Sequence, residues 1–274
     1  MGKGLRLARR GARGHAAPMT QPFDLSDRTV LITGASSGLG VQFARSAAAA
    51  GAKLALAARR TDRLAELAAE IVAAGGQAVA VAMDVQDEAS VIAGYDQAQA
   101  ALGPIDSVIA NAGVNGEGPA LELGVEAFDQ VMAVNVRGAF LTAREGARRM
   151  MVAFPKQDQR GRIVMIASIG AQKVLPGVAA YCASKAAVVM LGRSLAREWV
   201  NRGVNVNLVC PGFIETELNN DWFASEAGRK QVAGFPRRRL MQEADLDPVT
   251  LYLASSASRA ITGSVFTLDD GQTL

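Results

Sequence analysis

The chain has 274 residues, 50% hydrophobic and 20% charged, with a net charge of +3. That is enough for one α/β domain with both sheet faces covered, and its apolar runs are broken by Arg, Lys or Gly well short of the ~18 residues a membrane helix requires. The excess of positive charge lies in the first 18 residues, which hold Lys3, Arg6, Arg9, Arg10 and Arg13 and no acid, so the body is expected to bind neither nucleic acid nor membrane.

From the N-terminus, residues 1–20 read as a disordered basic extension and residues 21–274 as one domain. The apolar part of Leu5 to Ala8 is too short for a secretory signal; an organellar transit peptide is the other reading of the tail, and Met19 is a second candidate start. The sole histidine, His15, lies in this tail, and the only cysteines, Cys182 and Cys210, stand apart in apolar runs. A His-based triad is therefore excluded, no metal site is expected, and two small buried thiols suit a reducing, cytoplasmic setting.

Beyond the tail, apolar runs at 28–33, 53–58, 77–82, 105–110, 162–167, 204–209 and 264–267 read as buried strands. Alanine-rich helical stretches alternate with them, and Gly51, Gly75-Gly76, Gly103-Pro104 and Gly203 mark helix ends. The alternation predicts a doubly wound parallel α/β sheet (a Rossmann fold) of about seven strands with helices on both faces.

Chemistry-bearing residues fall where such a sheet places ligands. The first strand runs into Gly34, Ala35, Ser36, Ser37, Gly38, Leu39 and Gly40 as a helix starts near Leu39, the arrangement that cradles a pyrophosphate; an ordinary glycine loop is the alternative. The second strand ends in Arg59-Arg60 with no acid for a ribose 2′-hydroxyl, so a guanidinium, Arg59 being the better placed, is expected to pair with a 2′-phosphate. That favours NADP(H), with NAD the lesser choice; alternatively both arginines are solvated ahead of a helix capped by Thr61 or Asp62. Asp84-Val85 and Asn111-Ala112-Gly113 follow the third and fourth strands, where ligands bind, although a cap and a plain turn account for them equally. Ser168 ends the fifth strand, where a serine usually caps a turn.

Tyr181 and Lys185 stand four residues apart, so a helix puts them on one face. At ~4 Å and an effective dielectric of ~20, the ammonium would favour the phenolate by ~4 kcal/mol, enough to bring a phenol of pKa ~10 toward ~7. Tyr181 is then expected to serve as an acid and base near neutral pH. The bland reading is a surface pair worth ~0.5 kcal/mol.

Taken in order, Thr33 to Gly40, Asn111 to Gly113, Asn135, Ser168, Tyr181 with Lys185, and Pro211-Gly212 with Thr216 resemble the compact, single-domain branch of the short-chain dehydrogenase/reductase family. The match runs from Leu25 to the C-terminus, with Ala110 where the family often has a further asparagine. The resemblance implies that Tyr181 is the general acid/base and that Ser168 polarises the substrate oxygen. Lys185 would tune Tyr181 and hold the nicotinamide ribose, and Asn135 would hold a water linking Lys185 to solvent. Asp84 and Val85 would flank the adenine, Asn111 to Gly113 line the dinucleotide, and Ile214 with Thr216 hold the carboxamide.

The function expected is hydride transfer between NADP(H) and a carbonyl or secondary alcohol. The segment 213–235, with Phe213, Trp222 and Phe223, is expected to close over a small apolar substrate against Asn115, Val174 and Leu175; a structural anchor is the equal alternative for the two adjacent aromatics. The resemblance also implies a homotetramer built on helices around 126–151 and 179–201. Rival readings are an NAD-preferring alcohol dehydrogenase of the same family, an epimerase or dehydratase of the superfamily, and a catalytically silent NADP(H)-binding regulatory protein.

Overall fold

The computed structural model of the protein describes residues 23–215 and 220–274. The expected basic extension and the expected carboxamide contact Thr216 lie outside the described residues. The strands are β1 (Thr29–Thr33), β2 (Lys53–Ala58), β3 (Gln77–Ala82), β4 (Ser107–Ala110), β5 (Gly161–Ile166), β6 (Val204–Pro211) and β7 (Val265–Leu268). Among the described residues they form one seven-stranded sheet in the order β3-β2-β1-β4-β5-β6-β7, with every pairing parallel. Each expected strand is present, its ends shifted by no more than two residues.

The helices are α1 (Leu39–Ala49), α2 (Thr61–Ala73), α3 (Glu88–Leu102), α4 (Val125–Met132), α5 (Ala139–Ala153), α6 (Ala179–Trp199), α7 (Asn220–Ala224), α8 (Glu226–Ala233) and α9 (Asp247–Ala254). Successive side chains of a strand point to opposite faces, and β1 divides accordingly. Leu31 joins the core built with Tyr95 of α3, Leu141 of α5 and Val188 of α6. Val30 and Ile32 join the core built with Phe43 of α1, Leu64 of α2 and Leu253 of α9. Burial on both faces explains why β1, β4, β5 and β6 are buried along their whole length and why β1, β4 and β5 are mostly apolar rather than alternating; β6 also buries Asn205 and Asn207, whose amides donate to the carbonyls of Ser258, Arg259 and Ile261.

Two local expectations change. The helix expected around 126–151 is interrupted by a π-helical turn, Ala133–Gly138, between α4 and α5. Its wider coil holds Asn135, in the kind of insertion that often marks functional positions. Asp84 does not cap α3; Asp87 does, its side chain accepting from the Ala89 N–H at 3.0 Å.

At the amino end of the sheet, buried Asp106 accepts from Arg160 Nε at 2.9 Å and lies 3.6 Å from Arg28 Nη1, tying together the chain before β1, β4 and β5. The carboxyl ends are left free for a ligand. Strand order reverses between β1 and β4, and at such a switch point the loops leave in opposite directions and open a crevice.

Candidate active site

The glycine turn fills one side of that crevice. Gly34 has φ +71°, and a Cβ there would come within 2.9 Å of Ala112 Cα. A Cβ at Gly40 would lie 2.2 Å from the Gly34 carbonyl oxygen, so close approach of turn and helix requires the bare backbone. Gly38, also at positive φ, is uncrowded: the nearest atom to a Cβ there, Glu243 Oε1, lies at an ordinary contact distance of 3.8 Å. α1 starts at Leu39 without a side-chain cap or an acid in its first turn, so its N–H groups and partial positive charge are available to an anion. These features fit a pyrophosphate. Thr33 fixes the turn after β1 to the one after β4: its Oγ1 accepts from the N–H groups of Asn111 at 3.1 Å and Ala112 at 3.2 Å, and Asn111 Nδ2 donates to the Thr33 carbonyl at 3.1 Å.

After β2, Arg60 rather than Arg59 turns toward the glycines. Its Nε donates to Ser36 Oγ at 3.1 Å and its Nη2 to Ser37 Oγ at 2.6 Å, although both arginines are exposed. The chain leaves β2 straight into α2, with Arg60 as its N-cap, and that turn swings the second guanidinium inward. Asp84 accepts from the Gln86 N–H at 3.0 Å, and Val85 is buried beneath Gly138, where a Cβ would meet its Cγ2 at 2.6 Å.

Across the crevice, Ser168 is the N-cap of a 3₁₀ turn, Ile169–Ala171, its Oγ accepting from the Gly170 N–H at 3.0 Å. Capping uses a lone pair and leaves the hydroxyl proton free to donate, so the structural and chemical roles coexist. Tyr181 and Lys185 lie in the first two turns of α6. Lys185 Nζ is 5.6 Å from the Tyr181 ring centroid and donates to the Ile166 carbonyl at 2.9 Å.

The expected fall of the Tyr181 pKa is not what this geometry produces. Burial pushes the phenol up, opposed by its hydrogen bond with Ser168, because desolvation disfavours the anion. Burial also pushes the Lys185 ammonium down to about 8. The lysine lies over the ring with its charge shared by a carbonyl, so its pull on the hydroxyl is weaker than the ~4 Å pairing assumed from spacing.

Asn135 is buried, and its amide makes three hydrogen bonds. Its Oδ1 accepts from the Val114 N–H at 2.8 Å, and its Nδ2 donates to the Val114 carbonyl and to Ser184 Oγ, each at 2.9 Å. A Cβ at Gly113 would lie 3.4 Å from both Asn135 Oδ1 and Lys185 Nζ, so the turn after β4, the π-helical turn and α6 meet at one point. Ser184, which the sequence reading passed over, joins them by donating to the Tyr181 carbonyl at 2.7 Å. Thr33 was read as the first residue of the glycine motif without a role of its own; the signal for both is a small hydroxyl whose neighbouring polar groups need partners.

Pro211 ends β6, Gly212 follows, and Ile214 is buried and bridges Met241 through the backbone. Val174 and Leu175 line a groove of about 520 Å³ with Gly170, Cys182 and Ala183, a set without Ser168 or Tyr181. Asn115 is exposed and lies 3.4 Å from Glu117 Oε1. Phe223 packs inward, edge-on to Phe213 at 6.0 Å, whereas Trp222 is exposed and donates to Gln231 Oε1 at 3.1 Å. Among the described residues no acid, His or Cys cluster could hold a metal ion, and no helix is long and apolar enough to cross a membrane.

A family model for short chain dehydrogenases matches residues 28–227. The chain belongs to that family. It is 37% identical over 84% of its length to the inactive 2-(S)-hydroxypropyl-CoM dehydrogenase 2 of Xanthobacter autotrophicus, covering 99% of that protein. It is 34% identical over 92% of its length to the D-threitol dehydrogenase of Mycolicibacterium smegmatis, covering 95% of it. Among solved structures, a gluconate 5-dehydrogenase from Burkholderia cenocepacia in complex with NADP and tartrate superposes with a TM-score of 0.87 at 32% identity, over 93% of this chain and 98% of that one. This short-chain dehydrogenase is accordingly an oxidoreductase of alcohols and carbonyls that uses NAD(P).

Proposed function

We propose that the protein is an NADP(H)-dependent oxidoreductase that interconverts a small carbonyl compound and its secondary alcohol, with Tyr181, Ser168, Lys185 and Asn135 as its catalytic set. The observation that carries this reading is the meeting of Asn135 and Lys185 at Gly113, with Ser168 hydrogen-bonded to Tyr181 beside them, across the switch-point crevice from the glycine turn.

When bound, the nicotinamide supplies or accepts the hydride. Ser168 donates its free hydroxyl proton to the substrate oxygen, and Tyr181 Oη donates a second bond and passes its proton to that oxygen as negative charge develops. Lys185, its pKa brought down to about 8 by burial, would bind the ribose and exchange protons close to neutrality. Asn135 keeps the turn after β4 fixed against α6 through Val114 and Ser184, and a water on its remaining acceptor capacity would relay protons to Lys185. Ser36, Ser37, Leu39 and the glycines would hold the pyrophosphate, with Arg60 and Arg59 on the 2′-phosphate. Asp84 and Val85 would flank the adenine, Asn111 to Gly113 would line the dinucleotide, and Pro211, Gly212, Ile214 and Thr216 would line the carboxamide side.

NADP(H) is favoured by Arg60 on Ser36 and Ser37 and by Arg59-Arg60, rather than an acid, directly at the end of β2. The structural neighbour described with NADP supports the same choice. Arg60→Ala is expected to lower kcat/KM with NADPH roughly thirtyfold, the equivalent of a charged bond worth ~2 kcal/mol, and to leave NADH little changed. Equal wild-type efficiency with NADPH and NADH would contradict the cofactor choice.

A silent NADP(H)-binding role is the second reading, favoured by the relative named as inactive. The complete catalytic set in this chain opposes it. A panel of size-graded ketones, secondary alcohols and polyols, followed by absorbance of the reduced nicotinamide, separates the two. The apolar preference rests on the half-buried Phe213 and Leu175, and we place the enzyme in the cytoplasm as a homotetramer.

A further inference from the structure

Gln272, in the segment that follows β7, has no part in the roles assigned above, yet its side chain is only 3% exposed. It forms a two-way amide pair with the backbone of Phe213: Oε1 accepts the Phe213 N–H at 2.6 Å, and Nε2 donates to the Phe213 carbonyl at 3.2 Å. The backbone carbonyl of Gln272 accepts from Lys173 Nζ at 2.8 Å, and Lys173 belongs to the loop between Ser168 and Tyr181. One residue therefore ties the chain after β6 to the chain that carries the catalytic hydroxyls.

The turn that presents Gln272 is itself held. Asp269 accepts from the N–H groups of Gly271 at 3.1 Å and Thr273 at 2.9 Å, and Asp270 pairs with Arg237 at 3.0 Å and Arg239 at 2.9 Å. Gly212 makes room for the pair, since a Cβ there would lie 2.4 Å from Gln272 Oε1 and 2.8 Å from Asp269 Cα. The β6–β7 ladder already closes through the Gly212 N–H on the Leu268 carbonyl at 2.8 Å. The amide pair acts one residue beyond the ladder, so what it fixes is Phe213.

Phe213 in turn is the middle of a set of rings. Phe235 stacks on it at 5.3 Å with the planes 17° apart, and Phe223 meets it edge-on at 6.0 Å. The Phe213 carbonyl has a second donor, the Met241 N–H at 3.1 Å, but its N–H is given to Gln272. Loss of the side chain would leave that N–H in need of a new partner, and the backbone would shift to find one, taking three rings with it.

We propose that Gln272 is a positioning residue for substrate selection: its amide sets the Phe213 backbone and, through Phe213, Phe223 and Phe235, the apolar wall that grades carbonyl substrates by size. This rests on the proposed function for the use of that wall, but not for the clamp itself. Two full-length variants test it. Gln272→Met keeps length and apolar bulk without hydrogen bonds, and Gln272→Glu keeps the acceptor for the Phe213 N–H.

In Gln272→Met, amide exchange at Phe213 is expected to accelerate at least tenfold. KM for bulky ketones is expected to rise at least fivefold, with kcat, KM for small ketones and the NADPH dissociation constant within twofold of wild type. Gln272→Glu is expected to retain most of the Phe213 protection and to fall between the two in KM. Unchanged Phe213 exchange in Gln272→Met would overturn the proposal, and so would an equal loss for small and bulky ketones, which would make Gln272 a plain staple. If wild type turns over no ketone, the functional reading fails separately. Exchange at Phe213 and across 223–235 then decides the clamp: faster exchange at both upholds it, and no change at either refutes it.

Discussion

Lys185 is buried with its ammonium donating to the Ile166 carbonyl at 2.9 Å, and the pKa that burial depresses to about 8 has a consequence for stability. The unfolded lysine titrates near ~10.4, so between the two values the unfolded chain binds more protons than the folded one, and stability from this group rises with pH across that window. Below it, the folded chain bears the full cost of a buried cation. Lys185→Met is expected to gain on wild type in urea unfolding at pH 7 and to lose on the order of 2 kcal/mol of that advantage by pH 10; parallel profiles would contradict the burial argument. The position of Lys185 relative to Tyr181 was legible from the four-residue spacing. The direction of the Tyr181 shift was not, because desolvation depends on how deeply α6 sits against β5, and spacing along one helix carries no such information. Arg60 was ranked behind Arg59 for a related reason: which of two adjacent guanidiniums faces the glycines is settled by how β2 turns into α2.

At the scale of elements, the turn between β1 and α1 assigns different work to glycines two residues apart. A Cβ at Gly40 collides with the Gly34 carbonyl, whereas at Gly38, at a positive φ, it meets nothing nearer than Glu243 Oε1 at 3.8 Å. Gly40→Ala is therefore expected to lower Tm sharply through lost packing of α1 on the turn. Gly38→Ala is expected to cost about 1 kcal/mol of stability while weakening NADPH binding at least tenfold, because its methyl group occupies the space next to the helix N-terminus. Titration of NADPH fluorescence alongside thermal unfolding checks both; a Gly38→Ala variant with wild-type affinity would place the pyrophosphate elsewhere. The strands were legible because most of the buried parallel strands are largely apolar runs, and the glycines fell where the chain needed them. The π-helical turn at Asn135 was not legible, since six residues are too few for its period to show against the neighbouring α-helical pattern.

For the whole molecule, Met132, Val136, Phe140 and Leu191 surround an apolar groove of about 450 Å³ on the outer side of α4, α5 and α6, with Phe128 and Met190 exposed nearby. This is more apolar surface than one chain covers, and it gives the expected tetramer a face. Light scattering at micromolar concentration is expected to return the mass of four chains, and Val136→Glu with Phe140→Glu to return less; a wild-type monomer would refute the assembly. Contacts between distant segments were the least legible feature at this scale. The pairing of Gln272 with Phe213 spans 59 residues, and no local pattern in either segment points to the other. The central claim, that Tyr181 transfers the proton, is met most directly by kcat and the NADPH dissociation constant of Tyr181→Phe, which removes one hydroxyl and keeps the ring. A fall in kcat of at least a thousandfold, ~4 kcal/mol of transition-state stabilisation, with NADPH binding unchanged is the expected result. Retention of more than about a tenth of kcat, a loss below ~1.4 kcal/mol, would contradict it.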